Sequence, residues 1–322
     1  MPENNPSSSL SPDWGRNLIE ELARESLKER RARRRWRIFF LLLFFGLVAF
    51  SIVQCSGGAG PSTGKGESYV ASIDIKGVIA DHPEAVSADK VNTAMRRAFR
   101  DPKTLAVILR INSPGGSPVQ AGIIVDEMRR LRRNNPEKAL YAVVEEMGLS
   151  GGYYIAAAAD RIYVDKASLV GSIGVIISNF GVQELMNKLG VESRTITAGK
   201  NKAFLSPFEP VSPEQKAHTQ AMLDEIHQQF IEVVKEGRGQ RLKETPDMFS
   251  GLFWTGERSI ELGLVDGLGT VDSVARDMAD TEDVVDFTEY SPFELWMRQV
   301  GAAVSAGVWG HLQAQGDRPA LR

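Results

Sequence analysis

Gly148-Leu-Ser150-Gly-Gly152 is the segment whose residue types and spacing are best suited to chemistry. It lies between an apolar stretch, Leu140–Val144, and a run of small residues, Tyr153–Ala159. Glycines on both sides let the backbone turn sharply and let a substrate carbonyl approach. A serine in such a turn presents its hydroxyl at the start of a helix, where free amides stabilise a developing anion. The same spelling also suits a tight strand–helix turn with a solvated serine. A serine hydroxyl needs a base to become a nucleophile, and two kinds are available.

The first is histidine. Gly-x-Ser-x-Gly is the spelling of the nucleophile elbow of α/β-hydrolases, which places an acid and then a histidine later in the chain. Only His218, His227 and His311 follow Ser150, the first two on one predicted helix and the third in an irregular C-terminal stretch. The second is a neutral lysine. A free lysine has a pKa of roughly 10.4, so it accepts a proton only when desolvated or crowded by other cations. Lys200 and Lys202, in Thr197-Ala-Gly-Lys-Asn-Lys-Ala-Phe204, lie beside apolar residues rather than in a charge run. The residues alone do not choose between them.

The elements that would position these groups alternate. Tyr69–Ile75, Leu105–Ile111, Leu140–Val144 and Arg161–Val164 read as strands. Ala88–Arg100 reads as a helix capped by Ser87, and Val119–Arg133 as another with helical spacing at Ile123, Val125, Met128 and Leu131. Asn112–Ser117 is a turn cluster. Ser212-Pro-Glu-Gln215 opens a further helix with Met222, Ile226, Phe230 and Val233 aligned and Gly237 at its end. Such repetition predicts an α/β body with largely parallel pairing. Glu145–Glu146 lacks neighbouring ligand spacing and reads as a solvated strand end.

Read together, Asn112-Ser-Pro-Gly-Gly116, Gly148-Leu-Ser-Gly-Gly-Tyr-Tyr154, Gly171-Ser-Ile-Gly174, Gly199-Lys-Asn-Lys202 and Phe253-Trp-Thr-Gly-Glu257, with Gly263-Leu-Val-Asp-Gly267 closing the set, occur in an order that resembles the bacterial signal peptide peptidase A family. This is the SppA/SohB group of membrane-anchored Ser–Lys peptidases, and the resemblance covers roughly Tyr69–Thr270. It implies a ClpP/crotonase-like fold of repeated β-β-α units, assembled into homo-oligomeric rings whose active sites draw on more than one subunit. It implies Ser150 as nucleophile, Lys202 rather than Lys200 as general base, and Ser172 as the residue orienting that lysine. Oxyanion amides would come from Gly115 or Gly116, with Gly151 or Ser150 itself. Leu149 stands where family members often carry alanine, a change that touches packing near the site. The implied activity is endopeptidase cleavage of apolar peptides such as released signal peptides, with no metal or other cofactor. A Ser/Asp/His esterase and a catalytically silent membrane scaffold are the alternatives.

Composition frames these readings. The 322 residues include 38 Lys and Arg against 41 Asp and Glu, a formal charge of −3, which excludes a uniformly basic nucleic-acid coat. One cysteine forms no intramolecular disulfide, and four histidines leave little for a zinc cluster. The charge is unevenly placed: residues 1–37 carry nine basic and six acidic side chains, a net +3, leaving −6 for the remainder. Ile38–Val53 is an apolar run of roughly 24 Å as a helix, with Trp36 and the stems of Arg35 and Arg37 able to reach an interface. A cleaved signal peptide is its rival, and Cys55 lacks the small residues a lipidation site wants before it. The expected organisation is a basic cytoplasmic arm (1–37), a transmembrane anchor (38–55), a flexible tether (56–68), a peptidase domain (69–290) and a tail (291–322). Within the tail, Phe293–Leu312 has amphipathic spacing. Arginines before the span place the N-terminus in the cytoplasm and the body outside a bacterial inner membrane. The expected partners are peptide substrates, membrane lipid and further copies of the chain, not nucleic acid.

Overall fold

The computed structural model describes residues 35–46, 68–291 and 294–295. The chain divides into two units, Met1–Ser62 and Thr63–Arg322. In the first, residues 35–46 are helical (α1), with Trp36 set against the rings of Phe39 and Phe40 and its apolar side chains exposed. Among the described residues no helix is long and apolar enough to cross a membrane. The basic arm, the rest of the apolar run, the tether and nearly all of the tail lie outside the described residues.

The second unit is a parallel sheet with helices on both faces. The strands are β1 (Tyr69–Lys76), β2 (Thr104–Ser113), β3 (Ala139–Leu149), β4 (Arg161–Val164), β5 (Leu169–Gly171), β6 (Phe253–Thr255), β7 (Gly267–Leu268) and β8 (Val284–Asp286). Their order is β6-β5-β3-β2-β1-β8, with β4 branching from β3 and β7 pairing with β4. Among the described residues only the β5–β6 pair is antiparallel. The helices are α2 (Ala88–Arg100), α3 (Pro118–Asn134), α4 (Gly151–Ala157), α5 (Gln183–Lys188), α6 (Pro213–Arg238), α7 (Gly256–Glu261) and α8 (Val271–Ala279).

Strand periodicity sorts the core. Ile73, Ile75, Val107, Leu109, Ile111, Leu140, Ala142 and Val144 face the main core, shared with buried residues of α2, α3 and α4. The alternate positions Val70, Ala106, Ile108, Tyr141 and Val143 face Val274 and Ala275 of α8. Further along this second face apolar residues give way to charge. There Asp74 takes two bonds from Arg110 at 2.6 and 2.7 Å, and Glu145 pairs with Lys76 at 2.9 Å. Glu145 is therefore part of an ion cluster inside β3 rather than a solvated strand end, because β3 runs five residues past Val144.

β3 forks, and the fork creates the site. Its first half pairs with β4 through Tyr141–Val144, and its second half pairs with β5 through Met147–Leu149. The end of β3 thus emerges between β2 and β5 at the carboxyl edge of the sheet, where open α/β sheets leave a crevice.

Helix starts follow their caps. Ser87 caps α2, and Ser212 with Gln215 forms a complete capping box on α6. Helix α6 differs from expectation at its other end. Gly237 lies inside the helix, which continues to Arg238 and stops at Gly239, at φ +53°. A Cβ on Gly237 would stand 1.8 Å from the carbonyl oxygen of Ala157, so this glycine serves close contact between α6 and α4. On α3 the buried face is Ala121, Ile124, Val125, Met128 and Leu131, and Ile123 is turned out of the core.

Candidate active site

Ser150 joins β3 to α4 at φ +48° and ψ −121°, a conformation rarely adopted by residues with a side chain. Such strain costs about 1–3 kcal/mol and persists only where the surroundings enforce it. Its amide donates to the Gly171 carbonyl at 2.9 Å, and its own carbonyl accepts from the Tyr154 amide at 2.9 Å. The serine is thereby pinned between a neighbouring strand and the first turn of a helix, and its hydroxyl is left without a capping bond.

The Ser113–Ser117 turn is pressed against it. A Cβ on Gly115 would lie 2.7 Å from the Ser150 Cβ and 2.8 Å from the Gly151 nitrogen, so only glycine fits. Gly115 also takes φ +103°. Buried Ser113 organises this turn: its hydroxyl donates to the Gly77 carbonyl at 2.6 Å and accepts from the Gly115 amide at 3.1 Å. On either side of Gly116, the Gly115 carbonyl accepts from the Ile79 amide at 2.9 Å and the Ser117 amide donates to the Ile79 carbonyl at 2.8 Å. In a parallel bridge those bonds turn the amide of the middle residue away from the partner. The Gly116 amide thus points away from Ile79, and its nitrogen would be 3.3 Å from a Cβ on Gly151. With the Gly115 amide engaged by Ser113, the amides of Gly116 and Gly151 are the donors beside Ser150.

Ser150 opens onto a cavity of about 550 Å³. Its walls are mainly apolar, from Val119 and Ile123 of α3, Ile226 and Phe230 of α6, and Val175 and Ile176 after β5. Apolar walls with a few converging polar groups are the usual make-up of a ligand site. Helical spacing on α3 did not separate the stripe that lines the cavity from the one that meets the core, since periodicity does not say which face meets what. Ser113, silent within its turn motif, is the other contributor that spacing alone did not reveal.

The remaining candidates are placed as follows. Ser172 is half-buried at φ +54°, one residue beyond the carbonyl that holds the Ser150 amide, and its own amide donates to the Leu252 carbonyl at 2.7 Å. Lys200 and Lys202 are exposed in a turn, with the Lys202 amide bonded to the Gly199 carbonyl at 3.1 Å. Within one chain Lys202 does not line the cavity and forms no hydrogen bond with Ser150 among the described residues. Nor does any described histidine line it: His218 sits edge-on to Phe204 with ring centres 5.7 Å apart, and His227 Nε2 is 3.1 Å from the Ile173 carbonyl. His311 lies outside the described residues. Among the described residues no group of three His, Cys, Asp or Glu side chains is placed to hold a metal ion.

The fold and this turn define an α/β protein with a strained serine at the carboxyl edge of a parallel sheet, backed by amides that bond no other group among the described residues. The family model of peptidase family S49 matches residues 132–285, which run from the end of α3 into β8. The chain is 31% identical over 212 residues to slr0021 of Synechocystis sp., a protein named as a protease, covering 66% of this chain and 73% of that one. It is 29% identical over 204 residues to Protease 4 of Haemophilus influenzae, covering 62% and 33%. It is also 47% identical over 182 residues to the Na(+)/H(+) antiporter NhaA of Brucella abortus, covering 56% of this chain and a quarter of that protein. The chain belongs to peptidase family S49.

Proposed function

We propose that this protein is a serine endopeptidase in which Ser150 attacks the peptide carbonyl and Lys202 takes its proton. The observation that carries this reading is the strained Ser150 at the mouth of an apolar cavity, beside the amides of Gly116 and Gly151. Attack moves the Ser150 proton to the lysine and forms a tetrahedral oxyanion, which the two amides stabilise without reorganisation. The lysine then returns the proton to the leaving amine, and water hydrolyses the acyl-enzyme by the same steps in reverse order. Ser172 orients the lysine. The chemistry needs no metal or organic cofactor. Substrates are apolar peptides, remnants of signal peptides among them.

A lysine accepts a proton only where burial disfavours its charged form. In the single chain Lys202 is exposed, and so are apolar side chains of the region between β5 and α6: Ile196 is 97% exposed, Ile176 83% and Phe180 79%. A second copy of the chain packed on this segment supplies the missing burial, so the working enzyme is a homo-oligomeric ring of ClpP/crotonase-like subunits with dyads completed between neighbours. The basic arm and apolar run anchor the ring to the outer side of a bacterial inner membrane, with the N-terminus in the cytoplasm.

One assay on an apolar peptide separates the readings. Ser150→Ala and Lys202→Ala each lower kcat by about 10²-fold or more, while His218→Ala and His227→Ala remain active. Full activity in Lys202→Ala with loss in a histidine variant overturns the Ser–Lys reading. A folded wild-type chain that cuts neither peptide nor ester favours a scaffold role instead.

A further inference from the structure

Helix α3 carries an interior glycine for which the fold supplies no reason. Gly122 lies outside the left-handed region, and a Cβ built on it meets no atom of the described residues within 4 Å. Some glycines of the body are required by close backbone, since a Cβ on Gly237 would be 1.8 Å from the Ala157 carbonyl oxygen and one on Gly256 would be 2.0 Å from that of Asp165, and others, such as Gly77 and Gly239, by a positive φ. Alanine at position 122 would strengthen the helix, because glycine in a helix interior loses more backbone freedom on folding and adds no side-chain contact. The empty space beside Gly122 belongs to the cavity of about 550 Å³ that Ser150 opens onto, where Val119, Ile123, Ile226 and Phe230 supply the apolar walls.

Resting on the reading of Ser150 as nucleophile, we infer that Gly122 sets the size of substrate side chain that fits beside the scissile bond. The bare backbone of α3 at this point leaves room for a large apolar group, aromatic or long aliphatic, against the walls from α3 and α6. A side chain at 122 fills that room and shifts preference toward small residues. Shape selection of this kind discriminates by about tenfold or more per filled methylene position.

The test uses peptides identical but for one position near the scissile bond, changed from Ala to Phe and scanned along the sequence. They are measured with the full chain and with Gly122→Ala and Gly122→Leu. At one scanned position the wild type prefers Phe, and the Phe-to-Ala ratio of kcat/KM falls about tenfold or more in Gly122→Leu and less in Gly122→Ala. A raised thermal midpoint in Gly122→Ala shows that the helix tolerates the change. The same fluorescent peptides are titrated onto Ser150→Ala and onto Ser150→Ala with Gly122→Leu, so that binding is read without chemistry. Weaker binding of the Phe peptide in the double variant supports the inference even if Ser150→Ala still cuts, a result that would overturn the nucleophile assignment alone. An unchanged ratio and unchanged binding in a folded Gly122→Leu chain overturn the role of Gly122.

Discussion

The positive φ of Ser150 is a local cost met by the surrounding structure, and it makes a specific prediction about substitutions there. Ser150→Ala keeps the strain and loses the hydroxyl. Ser150→Gly loses the hydroxyl and removes the strain. Glycine ordinarily weakens an ordered position by its larger unfolded-state freedom, so a more stable glycine variant is diagnostic of relieved strain. Ser150→Gly is expected to exceed Ser150→Ala in unfolding free energy by about 1 kcal/mol, read from urea denaturation, with both inactive. At this scale the sequence was informative about types and poor on contacts. The glycines around Ser150 mark a sharp turn on sight, yet that the Gly115 amide is already engaged by Ser113 depends on a bond across the turn. No spacing rule contains it.

Among the elements, α4 and α6 show how a site wall is held. The carbonyl end of α4 and the last turns of α6 touch through Gly237, and only the C-terminal half of α6 is buried, at Phe230, Val233 and Val234. Gly237→Ala drives a Cβ into the Ala157 carbonyl and pushes α6 outward, taking Ile226 and Phe230 with it. A loss of about 1–3 kcal/mol in stability is expected, together with a raised KM for apolar peptides. Calorimetry and steady-state kinetics on one preparation check both. The start of α6 was plain in Ser212-Pro-Glu-Gln215 because a capping box is a local device satisfied within four residues. Its end was not, since glycine has two uses, stopping a helix and admitting a neighbouring backbone, and only the neighbour's position separates them.

For the molecule as a whole, Asp266 is the point where distant segments meet. Its carboxylate accepts from Arg238 at 2.8 Å, from Arg241 at 3.0 Å and from the Ile162 amide at 2.8 Å, joining the end of α6, the turn after it and the start of β4. Burial alone would push this carboxyl up. The Arg238 hydrogen bond and charge, with the Ile162 amide and Arg241, outweigh burial and hold it below the ordinary aspartate range. A carboxylate whose folded pKa is depressed contributes stability that is fully present above its unfolded pKa of about 3.9 and is lost as pH falls through the lower folded value. Asp266→Asn is therefore expected to be less stable at neutral pH and to show a shallower fall in stability below about pH 4. Chemical denaturation across a pH series measures this, and parallel curves for the two proteins would refute it. Removing one partner of a buried pair leaves Arg238 uncompensated, which is why a neutral isostere still destabilises.

The sequence by itself determined the alternating elements, the parallel sheet and the serine turn, because hydrophobic period, capping and glycine placement act over a few residues. Family membership was legible for the same reason, as short motifs kept in order along Tyr69–Thr270. Tertiary structure alone decided which amides beside Ser150 bond no other described group, which stripe of α3 lines the cavity, and that Lys202 is not among the residues lining it within one chain. Those facts depend on where the fork in β3 sends its two halves and on which backbones approach closely enough to exclude a side chain. They are properties of packed surfaces, and a packed surface is made by residues far apart in the chain.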